Sequence, residues 1–322
     1  MLLIVSNQRD LTADYLVLRM RERGVPFLRL NTEEYGTAFR VAIELDAGGS
    51  VGRIFADGRV TQTEEIIGAY IRRPGSPSPT EDVDLEHREF ACRELIETLR
   101  SFWALIPDAR WLNSPAALHS ASIKTRQLIA ARDCGFDTPP TCISDHAETI
   151  SKFASRYRGP LITKAVKSGF VCVKGKYRLA ATTRLPASFP ADLADYAPIP
   201  ATYQPEIRKS HDLRVTVVDD HVFAATIHSQ ESPATAVDWR VDTPDDDELR
   251  HEAIELETNA AEGCRRITRM LGLRFSAIDL IRTTDGDVVF LEVNPNGEWM
   301  WLEDMCGFPL RDTIIDALTQ AA

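Results

Sequence analysis

A chain of 322 residues, 44% hydrophobic and 26% charged, is long enough for about two domains with cores of their own, and this composition argues against long disorder and low-complexity architecture. With 37 basic and 48 acidic side chains the net charge is −11 at pH 7, which disfavours general nucleic-acid binding through phosphate neutralisation. No apolar run reaches the ~18 residues of a spanning helix, the start carries no signal-peptide pattern, and the six scattered cysteines form no Cys-x-x-Cys pair; a cytoplasmic protein with reduced thiols, without nucleic-acid or membrane partners, is expected.

The first ~110 residues alternate strand and helix patterns. Leu2–Val5 reads as a buried strand. Asp10–Arg23 reads as a helix with Leu11, Tyr15, Leu18 and Arg21 spaced along it, closed by Gly24. Phe27–Asn31 is a strand, Phe39–Leu45 and Gly52–Ala56 pair around Ala47-Gly48-Gly49, and Asp57-Gly58 marks another tight turn. Ile66–Arg72 is a strand stopped by Pro74-Gly75-Ser76-Pro77. Asp82–Leu105 follows as a long helix with Leu85, Cys92, Leu95, Leu99, Phe102 and Ile106 on one stripe.

A boundary falls at Trp111-Leu112-Asn113-Ser114-Pro115, where Ser114 caps a helix that has Pro115 in its first position. The helical region 115–134 ends at Gly135, and Pro139-Pro140 forces extended chain. Residues 148–157 read as helix. Leu161–Ala165, Phe170–Val173 and Tyr177–Ala181 read as antiparallel strands, with Lys174-Gly175-Lys176 as a turn. Strands follow at Ala201–Ile207, Leu213–Val218 and Val222–His228. Thr243-Pro244-Asp245-Asp246-Asp247 reads as a helix start, continued by Leu249, Ala253, Leu256, Ala260, Cys264, Ile267 and Leu271 up to Gly272. The acidic stretch Glu231–Glu262 fits a solvated helix face. Phe275–Arg282 and Val288–Val293 are the last strands, joined through Asp285-Gly286, and Trp299 and Trp301 beyond them read as core.

Chemistry concentrates in those last strands. Asp279 lies mid-strand among apolar residues, and Glu292 and Asn294 are two apart, so they share a face of the neighbouring strand. In a hairpin Asp279 faces them, and three oxygen donors on one sheet face suit a hard divalent cation. Asn294-Pro295-Asn296-Gly297 alone would be an ordinary turn. Asp279 and Glu292 inside apolar strands, however, are costly without a partner, and a metal site is the reading adopted. All seven lysines fall between Lys124 and Lys209, and Lys164 closes an apolar Leu161-Ile162 run. Arg72-Arg73 ends a strand, either as a solvated pair before a turn or as a bidentate grip on an acidic side chain. No Ser/His/Asp or Cys/His nucleophile set is evident.

The Leu291-Glu-Val-Asn-Pro295 segment with Asp279 resembles the C-terminal core of the ATP-grasp ligases. The resemblance extends through Asn113-Ser114-Pro115, Lys124-Thr-Arg-Gln-Leu128, Leu161-Ile-Thr-Lys164, Lys167-Ser168-Gly169, Tyr203-Gln-Pro-Glu-Ile207 and Asp212-Leu213-Arg214. It implies an α/β (α+β) ATP-grasp fold: an N-terminal lobe over 1–112, a central lobe over 113–200 and a C-terminal core over 201–322. It further implies that Lys124 and Lys164 hold ATP phosphates and that Ser168 and Gly169 cover them. Gln204, Glu206 and Ile207 would lie in the hinge that reads adenine through its backbone, and Asp212 would meet the ribose. Arg214 and Arg240 would act on the transferring phosphoryl, while Asp279, Glu292 and Asn294 hold magnesium, two ions being expected.

Within that family, Ala69-Tyr-Ile-Arg-Arg-Pro74, Asp238-Trp239-Arg240 and Asn294-Pro-Asn-Gly-Glu-Trp299 resemble the microviridin-type or graspetide synthetases. The activity so implied is ATP-dependent activation of a side-chain carboxylate of a ribosomally made precursor peptide, partnered through its leader, as an acyl phosphate. A hydroxyl or amine then closes an ester or amide. Arg72 and Arg73 would contact the substrate, and a homodimer is compatible with the resemblance. Two departures stand out: Glu298 occupies a position where the family often has glutamine, and Pro205 removes a hinge donor. The competing readings are a free-standing ligase of small substrates and a catalytically silent ATP-binding module.

Overall fold

The first lobe of the computed structural model, which describes residues 1–167, 169–173, 175–189, 199–241 and 249–320, runs through β1 (Leu2–Ser6), α1 (Leu11–Glu22), β2 (Phe27–Asn31), β3 (Phe39–Asp46), β4 (Gly49–Ala56), β5 (Arg59–Gln62), β6 (Gly68–Ile71) and α2 (Arg88–Trp103). Every residue of β1 is buried, which requires cover on both faces; it is the centre of a parallel sheet between β2 and β6. β3, β4 and β5 form an antiparallel meander. Its second turn uses Asp57 and Gly58, both at positive φ, as a two-residue hairpin turn requires.

Asp10 caps α1 by accepting from the Ala13 N–H at 3.2 Å, and Gly24 at φ +65° ends it. Of the residues spaced along it, Leu11 and Leu18 are exposed, while Ala13, Leu16, Val17 and Met20 enter the core. Both sets recur at helical spacing, so periodicity alone does not choose between them. α2 begins at Arg88 rather than Asp82, and Leu85 is exposed in a preceding 3-10 turn.

Ser114, accepting from the Ala117 N–H at 3.3 Å, opens α3 (Pro115–Ala121). The expected single helical region divides here, because Ile123 is extended and caps a separate α4 (Lys124–Asp133). The chain continues through β7 (Cys142–Ser144), α5 (Ala147–Ala154), β8 (Leu161–Lys164), β9 (Phe170–Val173), β10 (Lys176–Leu179), β11 (Thr183–Arg184) and β12 (Ala201–Pro205). β9 and β10 form a hairpin, and the other strands give an antiparallel sheet in the order β11-β8-β12-β7. Lys174 of the expected turn lies outside the described residues.

The last part holds β13 (Lys209–Val218), β14 (His221–Ile227), β15 (His251–Ile254), α6 (Thr258–Met270), β16 (Phe275–Thr283), β17 (Val288–Asn294), α7 (Met300–Cys306) and α8 (Leu310–Thr319). Its antiparallel sheet has the order β15-β14-β13-β16-β17. The helix expected from Thr243 is corrected here. Its capping segment 243–247 lies outside the described residues, residues 251–254 pair with β14, and helix begins only at Thr258. A free sheet edge beside them overrides the three- and four-residue spacing of Leu249, Ala253 and Leu256.

Two apolar layers cover this sheet. α4 and α6 pack on one face. On the other, Val218, Ala225 and Phe275 share a single core with Leu2 and Ile4 of β1, Leu16 and Met20 of α1, Trp299, and Ile314 and Leu318 of α8. Trp299 is thus core, as expected, whereas Trp301 is half-buried against Trp239 and His251. Asn113 seals the junction: its buried amide donates to the carbonyls of Phe275 and Pro295, both at 2.8 Å, and accepts from the N–H groups of Arg274 and Phe275. No helix among the described residues is long and apolar enough to cross a membrane.

The close approach of α8 to β6 yields a test. A Cβ on Gly68 would lie 2.1 Å from the Leu318 carbonyl oxygen, whereas one on Gly159 meets open space. Gly68→Ala is expected to destabilise the protein by about 1–3 kcal/mol, as overpacking does, with Gly159→Ala near neutral. Thermal melts that do not distinguish the two variants would refute this packing.

Candidate active site

The antiparallel register of β16 and β17 sets Asp279 opposite Glu292 and Ala277 opposite Asn294, so the three oxygen-bearing side chains share a sheet face. A bulge follows: Asp279 pairs with Glu292 but Leu280 pairs with Phe290, leaving Leu291 extra. This unpaired Leu291 lines the neighbouring cleft.

Cations from four elements converge on the acid pair. Arg214, opposite Asp279 on β13, donates from Nη1 to Asp279 Oδ1 at 2.8 Å. Lys124, in the first turn of α4, donates to Glu292 Oε2 at 2.6 Å, and Arg240 Nη1 lies 3.9 Å from Glu292 Oε1. Lys164 ends β8 and borders the same cavity. Burial would raise the Glu292 carboxyl, but Lys124 and Lys164 outweigh it and hold the group below the usual carboxylate range. Burial dominates at Asp279 and pushes it up, against Arg214, and it pushes the Lys164 ammonium down.

Three cavities that share walls make one cleft. The first, about 300 Å³, is lined by Lys124, Lys164, Lys167, Gly169, Glu292 and Asn294. A second, about 70 Å³, shares Lys164, Arg240 and Glu292 with it and adds Lys209, Asp212 and Asp238. A third, about 50 Å³, shares Lys209, Val237 and Leu291 with the second and reaches Gln204, Glu206 and Ile207. A larger cavity, about 570 Å³ between α5 and β11, touches none of the expected site residues. The cleft therefore joins Lys124, Lys164, Gly169, Gln204, Glu206, Ile207, Asp212, Arg240, Asp279, Glu292 and Asn294. Ser168 lies outside the described residues.

The hinge differs from expectation in detail. Gln204 is buried and spends its amide on Thr141 Oγ1 at 2.8 Å. Pro205 has no N–H, and the Glu206 N–H already donates to the Pro160 carbonyl at 2.8 Å. Both Glu206 carboxylate oxygens accept from Arg184 at 2.6 Å. This leaves the Ile207 N–H, which has no partner among the described residues. Asp212 Oδ2 accepts from Lys209 Nζ at 2.6 Å and Ser229 Oγ at 2.5 Å, and burial raises its carboxyl.

Arg72 is corrected outright as a substrate contact. Its side chain is 0% exposed. Its Nε donates to Asp10 Oδ1 at 3.2 Å, its Nη2 lies 2.5 Å from Glu298 Oε1, and its Nη1 donates to the Gly297 carbonyl at 3.3 Å. A cation without solvent needs such internal anions, and none of its surface is left for a ligand. Arg73 is different: it is more than half exposed, shares Glu298 Oε1 at 2.9 Å and sits at φ +44°, unusual for a side-chain-bearing residue.

Three residues of the site were given no role from the sequence. Gln127 is buried, donates to the Ala121 and Val293 carbonyls and accepts from the Val293 N–H, which locks β17 beside Glu292. Its signal was the three-residue step from Lys124 along one helix. Lys209 gave no pattern. Asp238, given no role within the Asp238-Trp239-Arg240 motif and otherwise read in a solvated acidic run, is buried and binds Arg240 at 2.9 and 2.8 Å and the Thr182 N–H at 2.9 Å.

An Asp, a Glu and an Asn on one face match the oxygen preference of magnesium, and Arg214 engages only Oδ1 of Asp279. The donor set fits that ion.

Residues 1–119 match the MvdD pre-ATP grasp domain family and residues 120–318 the RimK-like ATP-grasp domain family. Among solved structures, the Chryseobacterium gregarium RiPP-associated ATP-grasp ligase, in complex with ADP and a leader and core peptide, has a TM-score of 0.89 at 24% identity, over 100% of this chain and 97% of that one. Macrocyclase MdnC from Microcystis aeruginosa MRC, bound with precursor peptide MdnA, gives 0.85 at 26% over 100% of both chains. MdnB from the same source, also a macrocyclase, gives 0.79 at 26% over 98% of both. No curated protein matches the chain significantly.

The Asp238–Arg240 pair yields a pH test. Burial alone would raise the Asp238 carboxyl, yet Arg240 and two backbone N–H donors hold it at about 2. A depressed carboxyl contributes stability that is full above its unfolded value near 4 and lost as pH falls through 2, roughly 2 kcal/mol in all. Melting of wild type against Asp238→Asn should therefore show a gap at pH 6 that narrows below pH ~4. A gap that does not change with pH would mean that the pair contributes no charge-dependent stability.

Proposed function

The chain belongs to the RimK-like ATP-grasp family, and from that premise we propose that this ATP-grasp ligase modifies a ribosomally made precursor peptide. In this reading a side-chain carboxylate of the peptide is activated as an acyl phosphate and joined to a hydroxyl or amine, closing a macrocyclic ester or amide. The observation that carries it is the acid pair Asp279–Glu292, ringed by Lys124, Lys164, Arg214 and Arg240, at the end of a cleft that begins at the hinge. The peptide and leader partnership is carried over from MdnC with its precursor and from the Chryseobacterium ligase with its leader and core peptides. Reduced thiols and a need for ATP suit the cytoplasm.

The chemistry asks for positioning and charge neutralisation, not a protein nucleophile. The substrate carboxylate oxygen bonds to the γ-phosphorus as the β–γ bridge breaks and ADP departs. The incoming hydroxyl or amine then attacks the acyl carbon, phosphate leaves, and the nucleophile gives up its proton. Lys124 and Lys164 serve as point charges along the phosphates. Arg214 and Arg240, fixed by Asp279 and Asp238, face the transferring group. Asp279, Glu292 and Asn294 would hold the magnesium, two ions in this proposal, which supplies phosphate charge neutralisation when bound. Arg73, exposed beside Glu298, is the first-lobe group for the acidic side chain.

ADP release that depends on an added precursor peptide, and not on free amino acids, distinguishes this reading from a small-substrate ligase and from a silent module. Asp279→Asn and Glu292→Gln, which remove charge without volume, are each expected to cut turnover about a hundredfold or more while leaving the fold intact. Full activity in either at ordinary magnesium would refute the metal assignment. Arg73→Ala is expected to raise the peptide KM about ten- to a hundredfold with little change in the ATP KM, since a charge-assisted contact is lost. Equal effects on both substrates would remove Arg73 from the peptide site.

A further inference from the structure

We propose that Arg72 is a positioning residue for Arg214: through the segment that follows Asn294, the first lobe sets the aim of a guanidinium in the core. The inference rests on the reading of the cleft as a phosphoryl-transfer site.

The contacts form an unbroken series. Arg72 leaves β6 as a wholly buried cation and is anchored within its own lobe by Asp10. Two further contacts reach Gly297 and Glu298, Gly297 lying 225 positions along the sequence from Arg72. Thr12 of α1 adds a second first-lobe hold, donating to Glu298 Oε2 at 2.6 Å. The Glu298 carbonyl in turn accepts from Arg214 Nη2 at 3.1 Å, while Nη1 of the same guanidinium grips Asp279.

The segment has no slack against Arg214. A Cβ on Gly297 would lie 2.5 Å from Ala277 Cβ and 2.8 Å from Arg214 Nη2. Close-packed atoms pass on a displacement instead of absorbing it. Movement of Gly297 and Glu298 is therefore movement of the acceptor that fixes half of Arg214, and through Arg214 of the carboxylate it holds. Arg72 itself, without exposed surface, does not touch substrate. Simultaneous contacts with Asp10, Gly297 and Glu298, beside a further hydrogen bond with Tyr70, need a planar fork, which an ammonium cannot reproduce.

The test compares wild type, Arg72→Lys and, as a control in the same lobe, Arg110→Met; Arg110 donates only to the Thr63 and Ile66 carbonyls among the described residues. Hydrogen exchange reads the hold directly. Arg72→Lys should speed exchange at the 296–298 amides about tenfold or more while β1 and β2 stay protected. Mn²⁺ binding to the ADP complex, read by electron paramagnetic resonance, should weaken about ten- to a hundredfold, as when the support of a metal ligand is lost. In peptide-dependent turnover kcat should fall about tenfold or more, with the ATP KM within about twofold, since a small misplacement costs rate before binding. Arg110→Met should change none of these.

Wild-type exchange at 296–298 in Arg72→Lys would overturn the proposal. So would faster exchange without change in Mn²⁺ affinity and kcat, or matching losses in Arg110→Met. If the wild type itself bound no Mn²⁺ with ADP, the ligase reading would fall and this proposal with it; failure confined to the comparison of variants overturns this proposal alone.

Discussion

Two carboxylates set into apolar strands govern this molecule. Asp279 and Glu292 face each other across β16 and β17, and burial opposes the charge of both. Cations have to come to them, and they do so from separate places: α4, β8, β13 and the Asp238–Arg240 loop. No one of these elements can assemble the site. The central sheet must stand against the last sheet, and α4 must lie on β17, before the charges balance. Gln127, three residues beyond Lys124, fastens that last contact through backbone groups on either side of Val293.

The same demand repeats on the same face of the sheet, where the first lobe meets it. Arg72 is more deeply buried than the acid pair and of opposite sign, and its anions come from two lobes, Asp10 from one and Glu298 from the other. Asn113 performs the neutral version, with four hydrogen bonds that tie the end of the first lobe to the start of β16 and to Pro295. Polar groups without water thus specify how the lobes meet, while the shared apolar core supplies most of the burial.

What could be read from the sequence follows from the range of each cause. Strand alternation is local, so Asp279, Glu292 and Asn294 on one face were legible, as were the Ser114 cap and the Asp57-Gly58 turn. The joint order of lysine, hinge and metal segments made the fold legible as well. Long-range causes were not. Leu11 and Leu18 have the spacing of a core face but lie away from α8, and only the docked partner decides which face is used. β15 exists because β14 offers it an edge. Arg72 and Arg73 are adjacent and chemically identical, yet one is sealed and the other open, because Glu298 and Gly297 arrive from more than two hundred residues away.

The docking of α8 on α1 and β6 bears on how the chain reaches this state. Arg19 of α1 pairs with Asp312 of α8 across 293 residues, and Leu16 shares its core with Ile314 and Leu318. At 5–20 residues per second a ribosome needs on the order of 15–60 s between making these two partners. For that interval the inner face of α1 and one side of the β1 sheet wait uncovered. The first lobe to be synthesised is thus among the last to be completed, and its nascent apolar surface is a natural client for chaperones.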